Sequence, residues 1–235
     1  MAPVRSYSNW NIRQSDRLEQ IEPYGKYFFI CEGANTETWY FQKLIDRKRE
    51  LGIHPLLDIC LLEKTGEDRD ITYPQKLLDF ANDLKENGQI DFDPERDKMI
   101  VVFDADIFEE KVSNYQQLLE RAQMCGDVLA VTNPAFELFL LLHFEGAVEE
   151  VIRPYEKEII RNEKQDSQTC IYRLLREKSG MNSKKNRRIG ELAEHVEIAI
   201  CQEKQINQNI AECRGQVTCN IGQIIEEIRQ RKVIG

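Results

Sequence analysis

A chain of 235 residues, 41% hydrophobic and 31% charged, can form one large domain or a core with an addition, and it is too apolar to be disordered throughout. Its formal charge of -9 excludes a protein that coats nucleic acid with its whole surface, because phosphate affinity comes from clustered Lys and Arg. No apolar run approaches the ~18 residues that cross a bilayer and no apolar signal core follows Met1-Ala2-Pro3, so a helical membrane protein is excluded and the cytoplasm is the expected location.

Residues 1–25 mix Ser, Asn, Arg and aromatics without a period before Pro23 and Gly25, which reads as an N-terminal arm ending in a turn. Lys26 to Cys31 is then apolar on both faces, as expected of a strand inside a parallel sheet, and it stops at Glu32-Gly33. Asn35 or Thr36 can cap a following helix, whose apolar positions Trp39, Tyr40, Leu44, Ile45 and Leu51 recur at helical spacing up to Gly52. Pro55 to Leu62 reads as a second strand, and Pro74 to Glu86 as a helix with Leu77, Leu78, Ala81 and Leu84 on one face. The third strand, Met99 to Phe103, is continuously apolar and ends in Asp104-Ala105-Asp106. A helix from about Ser113 to Met124 leads to a fourth strand, Val128 to Val131, after which Asn133-Pro134 opens the apolar helix Ala135 to Phe144.

Strands alternating with helices imply a mostly parallel α/β sheet over residues 26–150, with ligands binding beyond the carboxyl ends of the strands. From Arg153 onward the pattern is helical and highly charged, broken at Gly180-Met181-Asn182-Ser183 and ending in a helix near Ile221 to Arg231. Residues 151–235 are therefore expected as a C-terminal helical appendage. Between Arg153 and Arg188 eleven basic residues stand against five acidic ones, so the positive charge of this acidic chain gathers there. Its densest point is Lys184-Lys185-Asn186-Arg187-Arg188: a solvated face on the plainer reading, or a holder of phosphate backbone if it lies beside a metal site.

The seven cysteines are odd in number, scattered and without a CxxC pair, so neither a disulfide framework nor a zinc ribbon is indicated. Cys31, Cys60 and Cys170 sit in apolar or periodic surroundings that suit small buried hydrophobes.

Chemistry concentrates in the acids at strand ends. Phosphodiester hydrolysis puts negative charge on the attacking and leaving oxygens, and carboxylates that hold Mg²⁺ or Mn²⁺, often a pair of ions about 4 Å apart, offset it. Asp104 and Asp106 stand two apart at one strand end, where strand alternation points them the same way, and Glu32 ends another strand. A lone strand-end Asp is more often a turn former or helix cap. Two acidic strand ends in one sheet favour a site.

Three segments resemble the signature blocks of RloB-like proteins: Cys31-Glu32-Gly33-Ala34-Asn35-Thr36-Glu37, Phe103-Asp104-Ala105-Asp106, and the run from Asn133-Pro134-Ala135-Phe136-Glu137 to His143-Phe144. RloB-like proteins are bacterial proteins often encoded with restriction-modification and other phage-defence systems, and they are held to carry a toprim-like fold. The resemblance spans about residues 26–145. It implies that Glu32, Asp104 and Asp106 form a catalytic metal site, that Glu37 adds to the first metal, and that Glu137 could serve a second. Helix capping is an equal alternative for Glu37. The resemblance further implies a nuclease of DNA or RNA, with nucleic acid and a defence protein as partners. Asn207-Gln208-Asn209 and Thr218-Cys219-Asn220 depart from the family's Asn-Pro-Ser-Thr type segment.

His143, on an apolar helix, reads first as a satisfied core residue and only second as a ligand. Two other functions stay open. A strand ending in Asp-x-Asp also opens haloacid-dehalogenase-like phosphatases, although there the motif lies on the first strand and Gly-Thr follows, where this chain has Ile107-Phe108. The other is a non-catalytic toprim-like module that binds a nucleotide or a partner.

Overall fold

The computed structural model describes residues 5–7, 22–64, 71, 73–105 and 115–233. In chain order the first part runs β1 (Arg5–Tyr7), β2 (Gly25–Cys31), α1 (Thr36–Asp46), β3 (Leu57–Glu63), α2 (Pro74–Glu86), β4 (Lys98–Asp104), α3 (Tyr115–Cys125), β5 (Val128–Asn133) and α4 (Glu137–Leu141). A π-helical turn at Val148–Ile152 leads to α5 (Glu156–Arg161), α6 (Cys170–Ser179), a 3₁₀ segment Arg187–His195 and α7 (Val196–Glu203). A 3₁₀ turn Ile210–Glu212, β6 (Thr218–Cys219) and α8 (Ile221–Gln230) complete it.

The strands form one six-stranded sheet in the order β1-β3-β2-β4-β5-β6. The four inner strands are parallel, and the short edge strands β1 and β6 are antiparallel to their neighbours. This is the expected α/β architecture, a mostly parallel sheet flanked by helices. Both faces of the inner strands are buried, which is why they read as unbroken apolar runs. Phe29, Cys31, Ile100, Val102 and Ala130 face one core, shared with α1, α4 and the C-terminal helices, while Phe28, Ile30, Val101, Phe103 and Val131 face a second core beneath α2 and α3. Among the described residues no helix is long and apolar enough to cross a membrane.

Both terminal regions add strands to the sheet. The N-terminal arm supplies β1, which pairs Arg5, Ser6 and Tyr7 with Glu63, Leu62 and Leu61 of β3. The C-terminal region is helical, but it is built into the sheet: β6 pairs with β5, and Ile171, Leu175, Ile200, Ile221 and Ile225 share the core of α1 and β2. Asn220 extends that pairing with its side chain, accepting from the Val131 N–H at 2.7 Å and donating to the Leu129 carbonyl at 2.9 Å. Residues 151–235 thus form the expected C-terminal helical region, and it packs against the α/β body.

Two helices are shorter than their apolar periods suggest. α1 stops at Asp46, and turns carry the chain to Gly52, whose φ of 73° is a conformation glycine adopts without a Cβ penalty. α4 gives way after Leu141 to bonds of the tighter i to i−3 kind, His143 N–H to Leu140 at 3.3 Å and Phe144 N–H to Leu141 at 3.2 Å. All seven cysteines are free; Cys31 and Cys170 are buried and Cys60 is half-buried.

The strand order places the site. From β2 the chain passes through α1 to β3 on one side; from β4 it passes through α3 to β5 on the other. β2 and β4 are neighbours whose onward connections leave in opposite directions, the switch point at which open α/β sheets bind ligands.

Candidate functional site

Glu32 and Asp104 stand at that switch point. The Glu32 N–H donates to Val102 at 2.9 Å and extends the β2–β4 ladder one residue past Cys31. Its side chain reaches across the gap, where Oε2 accepts the Asp104 N–H at 3.2 Å. On the other side Asp104 lies in register with Thr132 of β5, whose hydroxyl donates to Asp104 Oδ1 at 2.9 Å. Thr132 is completely buried, so its rotamer is fixed by packing and the carboxylate it holds is oriented. The sequence reading sets Glu32 beside both Asp104 and Asp106, and of these Asp104 is its neighbour. Asp106 lies outside the described residues.

Glu37 and Glu137 form a second acidic pair. Glu37 opens α1, and its carboxylate folds back over Gly33, filling the space a Cβ there would need. Burial pushes the Glu37 carboxyl above its ordinary range, and the charge of Glu137 pushes it the same way. The backbone N–H groups of Glu37 and Gly33 and the Lys64 ammonium pull it down. Asn35 makes no side-chain cap, so the capping reading of Glu37 has a physical basis here. Glu137 opens α4, is 7% exposed, and accepts the Ser183 hydroxyl at 3.0 Å.

Several residues tie the two pairs into one rim. Lys64 Nζ donates to the Glu32 carbonyl at 2.5 Å and to the Ile71 carbonyl at 2.6 Å, and its charge also acts on Glu37. The hydroxyl of Thr36, beside Glu37, donates to the Ser183 carbonyl at 3.1 Å. Immediately after Ser183 come the exposed Lys184, Lys185, Arg187 and Arg188. Lys184 Nζ lies 5.8 Å from the Tyr172 ring centre, Arg187 donates to Gln42 Oε1 at 3.2 Å, and Arg188 pairs with Glu191 at 3.4 Å. The basic segment therefore starts at the acidic rim.

His143 is a core residue. It is 2% exposed, with Nδ1 at 2.9 Å from the Phe139 carbonyl and Nε2 at 2.9 Å from the Tyr40 hydroxyl. A carbonyl only accepts, so Nδ1 carries the proton and Nε2 accepts from Tyr40. Burial drives the imidazole pKa down to about 3, which keeps it neutral.

Among the described residues no three His, Cys, Asp or Glu side chains gather closely enough to enclose a cation; the carboxylates stand as two pairs. Their donors are all oxygens, with hydroxyls of Thr132 and Ser183 behind them, a chemistry that suits Mg²⁺ or Mn²⁺ and not zinc. The repulsion between Glu37 and Glu137 is of the sign a bound cation relieves.

Thr132, Ser183 and Lys64 were not singled out from sequence. Thr132 had a legible signal, a hydroxyl ending an apolar strand. Ser183 had none, since Glu137 lies 46 and Thr36 lies 147 residues away from it.

A family model described as RloB-like protein matches residues 27–228, well beyond the 26–145 span of the three sequence blocks. No curated protein and no solved structure matches the chain.

Proposed function

Because this chain belongs to the RloB-like family, we propose that it is a divalent-cation-dependent nuclease acting on phosphodiester bonds of DNA or RNA, with Mg²⁺ or Mn²⁺ as cofactor and a role in bacterial anti-phage defence. The observation that carries the reading is the Glu32–Asp104 pair at the β2/β4 switch point, 3.2 Å from carboxylate oxygen to backbone nitrogen. Glu32, Asp104 and, on the toprim-like pattern, Asp106 would hold the cation, with Glu37 adding to that site and Glu137 serving a second cation. When bound, the cation offsets negative charge on the attacking and leaving oxygens. Thr132 keeps the Asp104 carboxylate aimed, and Glu32 is held by the Asp104 N–H. Lys184, Lys185, Arg187 and Arg188 neutralise the phosphate backbone that the acidic rim alone repels.

The test is a cleavage panel of single- and double-stranded DNA and tRNA with Mg²⁺ or Mn²⁺. Asp104→Asn and Glu32→Gln should each lower cleavage at least 100-fold, in line with the loss of a group that stabilises transition-state charge. Cleavage that survives both substitutions together removes the reading.

One observation favours a second reading. The separation of the described acids into two pairs is compatible with a non-catalytic toprim-like module that binds a nucleotide or a partner of a defence complex. Cation binding with no turnover of any nucleic acid would select it. An aspartyl phosphatase using Asp104 is disfavoured, because Asp104 ends β4 and not the first strand of the parallel sheet, and Ile107-Phe108 stands in the sequence where Gly-Thr is expected.

A further inference from the structure

The segment after α6 follows α1 from end to end. Thr36, at the start of α1, donates to the Ser183 carbonyl at 3.1 Å; Gln42 accepts from Arg187 at 3.2 Å; Arg47, at the end, meets Glu194 at 2.5 Å. Gly190 sits against the Trp39 backbone where any Cβ would collide with the carbonyl. The segment's own turns are closed by Asn182, which accepts the Lys184 N–H at 3.1 Å, and Asn186, which accepts the Arg188 N–H at 3.1 Å. In this run Ser183 is 1% exposed, whereas Lys184, Lys185, Arg187 and Arg188 face solvent. Its hydroxyl is spent on Glu137 Oε1 at 3.0 Å, and Glu137 is itself buried.

A buried hydroxyl that joins a carboxylate on one element to a carbonyl-anchored loop on another transmits position in both directions. Resting on the nuclease reading of the rim, we propose that Ser183 is a positioning residue that registers the basic segment Lys184–Arg188 to the Glu137 carboxylate, so that cation binding at the rim and placement of the phosphate-binding segment are linked. A cation that fixes Glu137 holds the acceptor of Ser183 still and thereby tightens the segment. By reciprocity, a nucleic acid backbone seated on Lys184–Arg188 holds Ser183 still and raises affinity for the cation. The acidic rim then gains its charge-neutralising groups together, with the basic segment already aligned to the bond-breaking side of the site.

Two readouts that do not depend on cleavage test this. Mn²⁺ titration by calorimetry should show Ser183→Ala binding about 10-fold more weakly, the loss expected when a partner that orients a metal ligand is removed. Limited trypsin digestion, with nicks after Lys184, Lys185, Arg187 and Arg188 located by mass spectrometry, should be slow in the parent protein and slower with Mn²⁺. In Ser183→Ala, nicking should be several-fold faster and indifferent to Mn²⁺. Thr36→Val breaks the same link from the α1 side without touching Glu137, so it should also free the segment, and it carries the digestion test should Ser183→Ala fail to fold.

Digestion rates equal to the parent's in both variants overturn the proposal. So does a freed segment with unchanged Mn²⁺ affinity in Ser183→Ala. A protein that shows the link but cleaves no nucleic acid keeps Ser183 in this role and loses the nuclease reading. One that cleaves normally while Ser183→Ala behaves like the parent loses only the link, and a parent protein that binds no Mn²⁺ loses both.

Discussion

Protonating His143 should loosen the layer that carries Glu137. The imidazole is locked between the Phe139 carbonyl and the Tyr40 hydroxyl, each at 2.9 Å, and is 2% exposed. A second proton must go on Nε2, which turns the acceptor of the Tyr40 hydroxyl into a donor and leaves a charge in an aromatic cluster of Tyr40, Phe136 and Phe139. Burial is the main reason the pKa falls from 6.5 to about 3, with the charge of His195 a smaller push in the same direction. Because the folded pKa is depressed, the neutral ring contributes stability that is present above pH 6.5 and is lost as pH falls toward 3, in the window where the unfolded chain binds the proton and the folded one does not. At ~1.4 kcal/mol per pH unit the full window is worth about 4–5 kcal/mol, an upper bound, and the step from pH 6.5 to pH 4.5 about 2–3 kcal/mol. Urea unfolding of the parent and of His143→Gln at both pH values measures this. Gln does not ionise and keeps an acceptor for Tyr40, so its stability should fall by about 2–3 kcal/mol less than the parent's over the same step. Equal losses would mean that His143 is already charged in the folded protein or reached by water, and the assignment of its ring nitrogens would fall with that result.

Two further substitutions probe the supports of the site and of the sheet. Thr132→Val keeps shape and strand preference but removes the donor to Asp104 Oδ1, so on the nuclease reading cleavage should fall about 10-fold with unfolding behaviour nearly unchanged; full activity would show that Asp104 needs no such aim. Glu203, the last residue of α7, is completely buried against the start of α8, its carboxylate accepting from the Gly222 N–H at 2.7 Å, the Gln223 N–H at 2.8 Å and the Gln208 side chain at 2.9 Å. Glu203→Gln sets an amide against one of those donors and should cost about 2–3 kcal/mol, read as a urea midpoint about 1 M lower; a midpoint within 0.2–0.3 M, roughly the error of such curves, would contradict it.

What could be read in the sequence and what could not divide along a physical line. β2 and β4 announced themselves because a strand buried on both faces must be apolar at every position, and each run breaks at an acid that the sheet places beside the other, Glu32 and Asp104. β1 and β6, with three and two residues, are too short to show a period, and they owe their place to partners: Leu61 to Glu63 for one, Thr132 and Asn133 for the other. The C-terminal third looked detached for the same reason. Its amphipathic helices declare an apolar face but not what covers it: α4 lies against α6 and α7, β5 against α8, and α1 against the 3₁₀ segment Arg187–His195.

The tail segments Asn207-Gln208-Asn209 and Thr218-Cys219-Asn220, which the family model spans, have structural work of their own. Asn207 donates to Thr218 Oγ1 at 2.9 Å, and the Asn133 amide donates to the Cys213 and Gln216 carbonyls at 2.7 and 2.8 Å. Asn133 ends β5, a few residues before Glu137, so these bonds secure the turn from which one carboxylate of the rim is presented. The acids of the site are thus set by short local rules, a strand end or a helix's first turn, whereas their aim is set by hydroxyls and amides delivered from far along the chain. A substitution in the C-terminal half can therefore disturb the chemistry of residues 32–137 without touching any of them.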